Sequence, residues 1–182
     1  MAWWRNLAGT AGLGAVAAAL AFGLPAVDRR LPAARPLPAE APYHVGAGVR
    51  LVPPSGALLD LTRTRPARRN GSALFLVGPV RLAVVATPFD GDLAAAARRL
   101  RNKITAQRGA QVAGAEQPYR TAAGLPGLAG GYAGDDRSGR YHVFVTGGLA
   151  VEVTVSGHDT ALRAHVDSLD ASVRSLTVRP PR

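Results

Sequence analysis

The stretch from 140 to 157 constrains the fold of this chain more than any other. It reads RYHVFVTGGLAVEVTVSG, which is two runs of β-branched and aromatic residues around a Gly-Gly pair. Runs of this composition favour strands, and glycines between them favour a tight hairpin turn. The sequence therefore predicts an antiparallel hairpin near the C-terminal end of a sheet domain.

The loop of this hairpin decides which side chains share a face. A two-residue loop pairs Thr146 with Leu149 and puts Val151 and Val153 on the face of Phe144. An odd-length loop instead groups the valines of both strands on one apolar face. Since a slip of one residue exchanges the two faces, we expect the odd-length loop, which keeps one face apolar.

A helical pattern follows the hairpin and begins near Asp159. Its apolar residues recur at spacings of 4, 3, 4 and 3, which is one stripe along a helix. The stripe consists of Leu162, Val166, Leu169, Val173 and Leu176. We expect this single terminal helix to pack on the sheet and close the domain.

Upstream of the hairpin, β-forming runs alternate with turn residues. The runs at 49–52, 57–62, 72–77 and 80–87 predict strands. A helix is predicted over 92–108, because apolar residues recur at helical spacing and an aspartate precedes them. Short β-like pieces fill 110–134. This order of elements predicts an α+β domain.

The helix predicted at 92–108 carries a cluster of basic residues. A solvated helix face explains such a cluster most simply, and contact with an anionic surface is the alternative function. The residues concerned are Arg98, Arg99, Arg101, Lys103 and Arg108.

An uncharged stretch spans residues 7–27, LAGTAGLGAVAAALAFGLPAV, and begins three residues after Trp4. As a helix, 21 residues cover roughly the 30 Å of a bilayer core. We expect a retained single-pass anchor in the plasma membrane; a cleaved signal peptide and a buried soluble helix are the alternatives. Arg29 and Arg30 favour a cytoplasmic C-terminal domain, but long domains translocate regardless of flanking charge. We expect the domain outside the cytoplasm.

The composition changes after this segment. Residues 28–42, DRRLPAARPLPAEAP, hold four prolines and favour a stiff extended spacer. We therefore divide the chain into a membrane segment at 1–30, a Pro-rich linker at 31–43 and a folded domain at 44–179.

Several chemistries have no counterpart in the sequence. There is no cysteine, which excludes disulfides, thiolate metal sites and lipidation at a lipobox cysteine. The four histidines lack metal-ligand spacing, and neither nucleotide-binding loops nor a G-x-S-x-G motif occur. The net charge is +10, but aromatic residues do not alternate with basic ones, so we expect no nucleic acid partner. No catalytic, cofactor-binding or metal-ligating residue is assigned.

The chain resembles a known group of proteins. GVRLVPPSG at 48–56, the order of elements and the ending VRSL at 173–176 are similar to small actinobacterial cell-envelope proteins with a PsbP-like domain, including the LpqN-like group. The resemblance covers about 44–178. It implies a small antiparallel sheet packed against two helices, the PsbP-like α/β sandwich, which would follow the predicted N-terminal transmembrane helix. The chain departs from the lipoprotein members because it lacks the lipobox cysteine, so that helix would replace a lipid anchor. The resemblance also implies a non-enzymatic accessory role in the envelope.

The function predicted from these observations is a membrane-anchored envelope protein that presents a non-catalytic domain to a protein or lipid partner. Two alternatives stay open. One is an enzyme of unrecognised type, which would need polar groups converging in a pocket. The other is an adaptor that faces the cytoplasm.

Overall fold

The computed structural model describes residues 33–107, 109–134 and 137–179. Within these ranges the chain forms twelve strands and three helices. The strands are β1 (Ala34–Pro36), β2 (Tyr43–Gly46), β3 (Val49–Leu51), β4 (Leu58–Asp60), β5 (Arg65–Pro66), β6 (Gly71–Val77), β7 (Val80–Pro88), β8 (Gln111–Arg120), β9 (Pro126–Ala133), β10 (Ser138–Thr146), β11 (Leu149–Gly157) and β12 (Thr177–Val178). The helices are α1 (Leu93–Thr105), α2 (Asp159–Ala164) and α3 (Val166–Arg174).

The strands form one antiparallel sheet in the order β12-β3-β2-β6-β7-β11-β10-β9-β8. The short strands β4 and β5 pair with β6 outside this path, and β1 pairs with β4. The long central hairpins match the strands predicted at 72–77, 80–87 and in the segment 140–157. The predicted α+β class with an antiparallel sheet is confirmed.

Helices cover both faces of the central sheet. On one face, the core of β6, β7 and β11 contacts Leu169 and Val173 of α3 and Leu176 beyond it. On the other face, α1 packs its buried Leu100 and Ile104 with side chains of β10 and β11. Because side chains alternate along a strand, β10 and β11 contribute buried residues to both cores.

The β10–β11 hairpin corrects the predicted register. Thr146 pairs with Leu149, so the loop has two residues and not an odd number. Gly147 and Gly148 have φ angles of 55° and 72°, as a tight turn of this kind requires. The prediction was wrong because it assumed one covered face. With a core on each side, neither face has to collect all the valines.

The terminal helix also differs from the prediction. Instead of one helix, the chain forms α2 and α3, which meet at His165 with φ −117° and ψ 8°. The apolar stripe continues across this break. Its last three members are buried, whereas Leu162 and Val166 are only partly covered.

The predicted linker at 31–43 contains part of the folded sheet. Ala34–Pro36 forms β1, and Leu37 packs against the core and donates its N–H to the carbonyl of Ala57. The predicted membrane segment at 7–27 lies outside the described residues. Within the described ranges, no helix has the length and apolar character needed to cross a bilayer.

Candidate ligand-binding cavity

A cavity of about 400 Å³ lies between the β10–β11 hairpin and the two C-terminal helices. Its sheet side is formed by the residues of β10 that point away from α1, together with Val155 of β11. Its helix side is formed by the apolar stripe of α2 and α3 and by the polar residues beside it. A cavity of this size is at the lower end of the range for small-molecule sites.

The helix wall of the cavity is apolar. It consists of Leu162 from α2 and Val166, Leu169 and Val173 from α3. Leu162 and Val166 belong to the stripe expected to be buried against the sheet, and they remain partly open because they face the cavity. The partly covered residues of the stripe therefore form part of the cavity wall.

His142 lines the cavity from β10 and is 6% exposed. Its Nδ1 has no hydrogen-bond partner, and it is the one buried side-chain nitrogen or oxygen of this kind in the described residues. Burial lowers the pKa of His142 to about 4; the charge of Asp170 opposes this shift, and the positive charge of Arg140 adds a smaller contribution to it. The imidazole is therefore neutral at pH 7, with one ring nitrogen that nothing in the described fold satisfies.

A second polar group lies beside this histidine. The Tyr119 hydroxyl donates to Asp170 Oδ1 at 3.0 Å, and Arg174 Nε donates to Oδ2 at 2.7 Å. The Tyr119 ring meets the His142 ring edge-on, with 4.5 Å between the centroids. Burial raises the pKa of Asp170, but the hydrogen bonds from Arg174 and Tyr119 outweigh it, so the net shift is downward. Asp170 is thus an ionised carboxylate already held by two donors.

Three exposed charged residues line the cavity, namely Arg140, Arg163 and Asp159. Arg140 lies on β10 and Arg163 on α2. Neither arginine is salt-bridged to a carboxylate of the described residues. The other carboxylate of the lining, Asp159, accepts a hydrogen bond from the Ser138 hydroxyl. The site therefore combines apolar walls, a buried neutral histidine and two arginines without ionic partners.

The basic residues predicted to contact an anionic surface lie elsewhere, on α1. Arg99 and Lys103 bind the buried Glu152 of β11. Arg101 binds Glu116 of β8. Each of these three charges therefore already has a carboxylate partner within the domain.

Of the two remaining members of the basic cluster, Arg98 is exposed and Arg108 lies outside the described residues. Contact of α1 with an anionic surface stays a prediction. In the described part of the chain, no three His, Asp or Glu side chains converge as a metal site would require.

The sequence predicted the apolar wall only as a stripe buried on the sheet, and it predicted none of the polar residues of the cavity. A signal was present, since Arg140 and His142 alternate with buried apolar residues along β10 and so share one face. The two-residue loop adds that Val153 and Val155 of β11 lie on the same face.

Comparison with models of protein families and with curated proteins gave no match. Among solved structures, the chain is similar to the solution structure of cyanobacterial PsbP (CyanoP) from Synechocystis sp. PCC 6803. The TM-score is 0.56 at 14% identity, over 76% of this chain and 92% of CyanoP. A protein of unknown function from Pseudomonas aeruginosa gives a TM-score of 0.50 at 16% identity, over 63% of this chain and 87% of that protein.

LpqN, which is involved in cell envelope biogenesis of Mycobacterium tuberculosis, gives a TM-score of 0.41 at 14% identity, over 81% of this chain and 91% of LpqN. The likeness to CyanoP shows that the described domain has a PsbP-like fold, which confirms this part of the resemblance. The LpqN-like and actinobacterial parts stay predictions.

Proposed function

We propose that this chain is a non-catalytic binding protein whose PsbP-like domain takes one small amphiphilic molecule into the cavity beneath α2 and α3. The observation that carries the proposal is the cavity itself. It is large enough for a small ligand, one wall is apolar, and the buried Nδ1 of His142 lacks a partner. A bound molecule would cover apolar surface that the fold leaves open and could satisfy the imidazole.

We propose a non-catalytic function because the carboxylate beside His142 is already paired. Asp170 is held by Tyr119 and Arg174 and is a poor candidate for proton transfer. His142 titrates well below neutral pH and is a weak base there. These features favour binding over acid–base chemistry.

We extend the proposal to location. The uncharged segment 7–27 would hold the domain at the plasma membrane, with the domain outside the cytoplasm in the cell envelope. Full-length protein should then stay in the membrane fraction during alkaline carbonate extraction. Release by high salt alone would disprove the tether, because salt weakens surface charge contacts but not an inserted apolar helix.

Binding is tested with radiolabelled octanol and full-length protein in phosphatidylcholine nanodiscs, by equilibrium dialysis with empty discs as the reference. Val166→Trp fills the cavity and should abolish binding. Ala164→Trp, at an exposed position of α2 outside the lining, is the matched control and should bind as the unchanged protein does. Circular dichroism checks that both variants fold.

The proposed function fails if the unchanged protein binds none of the octyl compounds used here and in the next subsection. It also fails if a folded Val166→Trp variant binds them undiminished. Should Val166→Trp not fold, Leu162→Phe provides the same steric test from α2.

A further inference from the structure

The charges around the cavity point to a more specific ligand. We infer that the cavity selects a single-chain amphiphile with an anionic head, such as a carboxylate or a phosphate monoester, which Arg140 and Arg163 bind at the opening. The inference rests on the proposed function and assigns the chemistry of its ligand.

The two arginines line the cavity from its two walls. Arg140 belongs to β10, directly across from Val155 of β11, and Arg163 belongs to α2. A head placed between strand and helix would lie within reach of both guanidinium groups. Arginine suits this role because its planar fork of donors matches the oxygens of a carboxylate or phosphate.

The carboxylates of the lining compensate these two charges only in part. Asp170 forms its salt bridge with Arg174, and Asp159 accepts from a neutral hydroxyl. Among the described residues, the lining together with Arg174, which binds Asp170, thus holds three arginines and two aspartates. The excess positive charge favours an anion over a neutral or cationic head.

The rest of the cavity fits an apolar chain. From the opening, Leu162 and Val166 present partly exposed side chains, followed by the buried Leu169 and Val173. Burying this surface against a hydrocarbon chain is favourable in proportion to the apolar area removed from water. The volume of about 400 Å³ favours one chain over the two chains of a phospholipid.

His142 adds a polar contact inside the cavity. Its ring lies two residues from Arg140 on the same face of β10. A neutral imidazole offers one donor and one acceptor, so it can contact a head that enters past the arginines. The anionic head would then meet two positive charges and a neutral ring.

The inference is tested by equilibrium dialysis of four octyl compounds against full-length protein in phosphatidylcholine nanodiscs. The probes are octanoate, octyl phosphate, octanol and octylammonium, which share the chain and differ in the head. We expect the two anions to bind about tenfold or more tightly than octanol, and octylammonium to bind most weakly. Acetate and inorganic phosphate, which lack the chain, should not compete at equal concentration.

Variants identify the side chains that recognise the negative charge of the head group. Arg140→Gln and Arg163→Gln should each weaken octanoate binding about tenfold and leave octanol binding unchanged. Arg98→Gln is the matched control, because this exposed arginine lies on α1, on the other face of the sheet. It should leave binding of all four probes unchanged.

The results separate this inference from the proposed function. If octanol and octanoate bind equally and the arginine variants bind octanoate as the unchanged protein does, the anion selection is wrong while the cavity function stands. Competition by acetate or phosphate alone would also overturn it, since the site would then recognise a free anion. If no octyl probe binds, both proposals fall.

Discussion

Arg99 of α1 and Glu152 of β11 form a salt bridge across the interface between helix and sheet, with 2.9 Å between Nη2 and Oε1. Lys103, one helical turn further, binds the other carboxylate oxygen at 2.8 Å. Glu152 is 5% exposed and lies between two buried valines of β11. A carboxylate in such a strand requires cationic partners, and the basic face of α1 supplies them.

Removing the charge of Glu152 should therefore destabilise the domain. We expect Glu152→Gln to lower the free energy of unfolding by about 1.5–3 kcal/mol, because it weakens charge-assisted hydrogen bonds to two cations. Urea denaturation of the fragment 33–182 measures this change. Arg98→Gln, on the same helix but without a salt bridge in the described residues, should stay within about 0.5 kcal/mol. Equal losses in the two variants would contradict the assignment.

The start of the fragment is itself a prediction. Starting at 33 keeps β1 and Leu37, whereas starting at 41 removes them. Since Leu37 packs on the core, we expect the shorter fragment to lose about 1–3 kcal/mol in the free energy of unfolding. Thermal melts of both fragments decide this. Identical melting temperatures would mean that β1 adds nothing and that the domain starts closer to residue 44.

The C-terminal stripe should divide into two classes. Leu169 is buried on the sheet, and Leu169→Ala should cost about 2–5 kcal/mol. Leu162 already borders open space, so Leu162→Ala should cost clearly less. Arg163→Ala, on the exposed side of α2, should change the urea midpoint little. Equal effects of the two leucine variants would mean that the cavity is filled by the protein itself.

Much of the fold could be predicted from local patterns. The strands at 72–77 and 80–87 follow their β-forming runs, and Asp92 caps α1 by accepting from the Ala95 N–H at 2.7 Å, as its position before the apolar repeat implies. The break at His165 could not be predicted, because the spacing of the stripe continues through it and no glycine or proline marks it. The periodicity of apolar residues indicates which way side chains point, but it does not reveal every break in the helical backbone.

The candidate site could not be predicted from the sequence for a related reason. Which side of β10 carries Arg140 and His142 depends on what covers each face, and that is a tertiary property. The basic cluster on α1 was visible in the sequence, but its partners Glu116 and Glu152 lie far along the chain. Charge patterns alone do not tell a solvated face from one that binds buried acids.

Gly130 of β9 provides a test of the packing beneath α1. It pairs with Tyr141, and a Cβ added at Gly130 would overlap with the tyrosine ring and its hydroxyl. That hydroxyl donates to Glu116 at 2.9 Å. We expect Gly130→Ala to cost about 1–3 kcal/mol through overpacking. The neighbouring Gly131 is the matched control, because a Cβ there meets only ordinary contacts at 3.6 Å or more, and Gly131→Ala should be nearly neutral.

His142 should make stability depend on pH over a defined window. Burial lowers its pKa to about 4, against about 6.5 in an unfolded chain, so the unfolded state binds more protons between these values. Its contribution to stability is therefore complete above about pH 6.5 and is lost as the pH falls towards 4. The charged groups around the ring are Arg140, which disfavours protonation, and Asp170, which favours it.

Between pH 7 and pH 5 this effect should lower the free energy of unfolding by about 2 kcal/mol. Asp170 does not obscure it, because the lowered pKa of this carboxyl makes its own loss of stability appear only below about pH 4. Urea denaturation of the fragment 33–182 at both pH values provides the measurement. His142→Gln should remove most of the difference, while His158→Gln, at an exposed histidine, should retain it. A slope that survives in His142→Gln would mean that the ring is solvated in the folded state and that the cavity is open to water at its inner end.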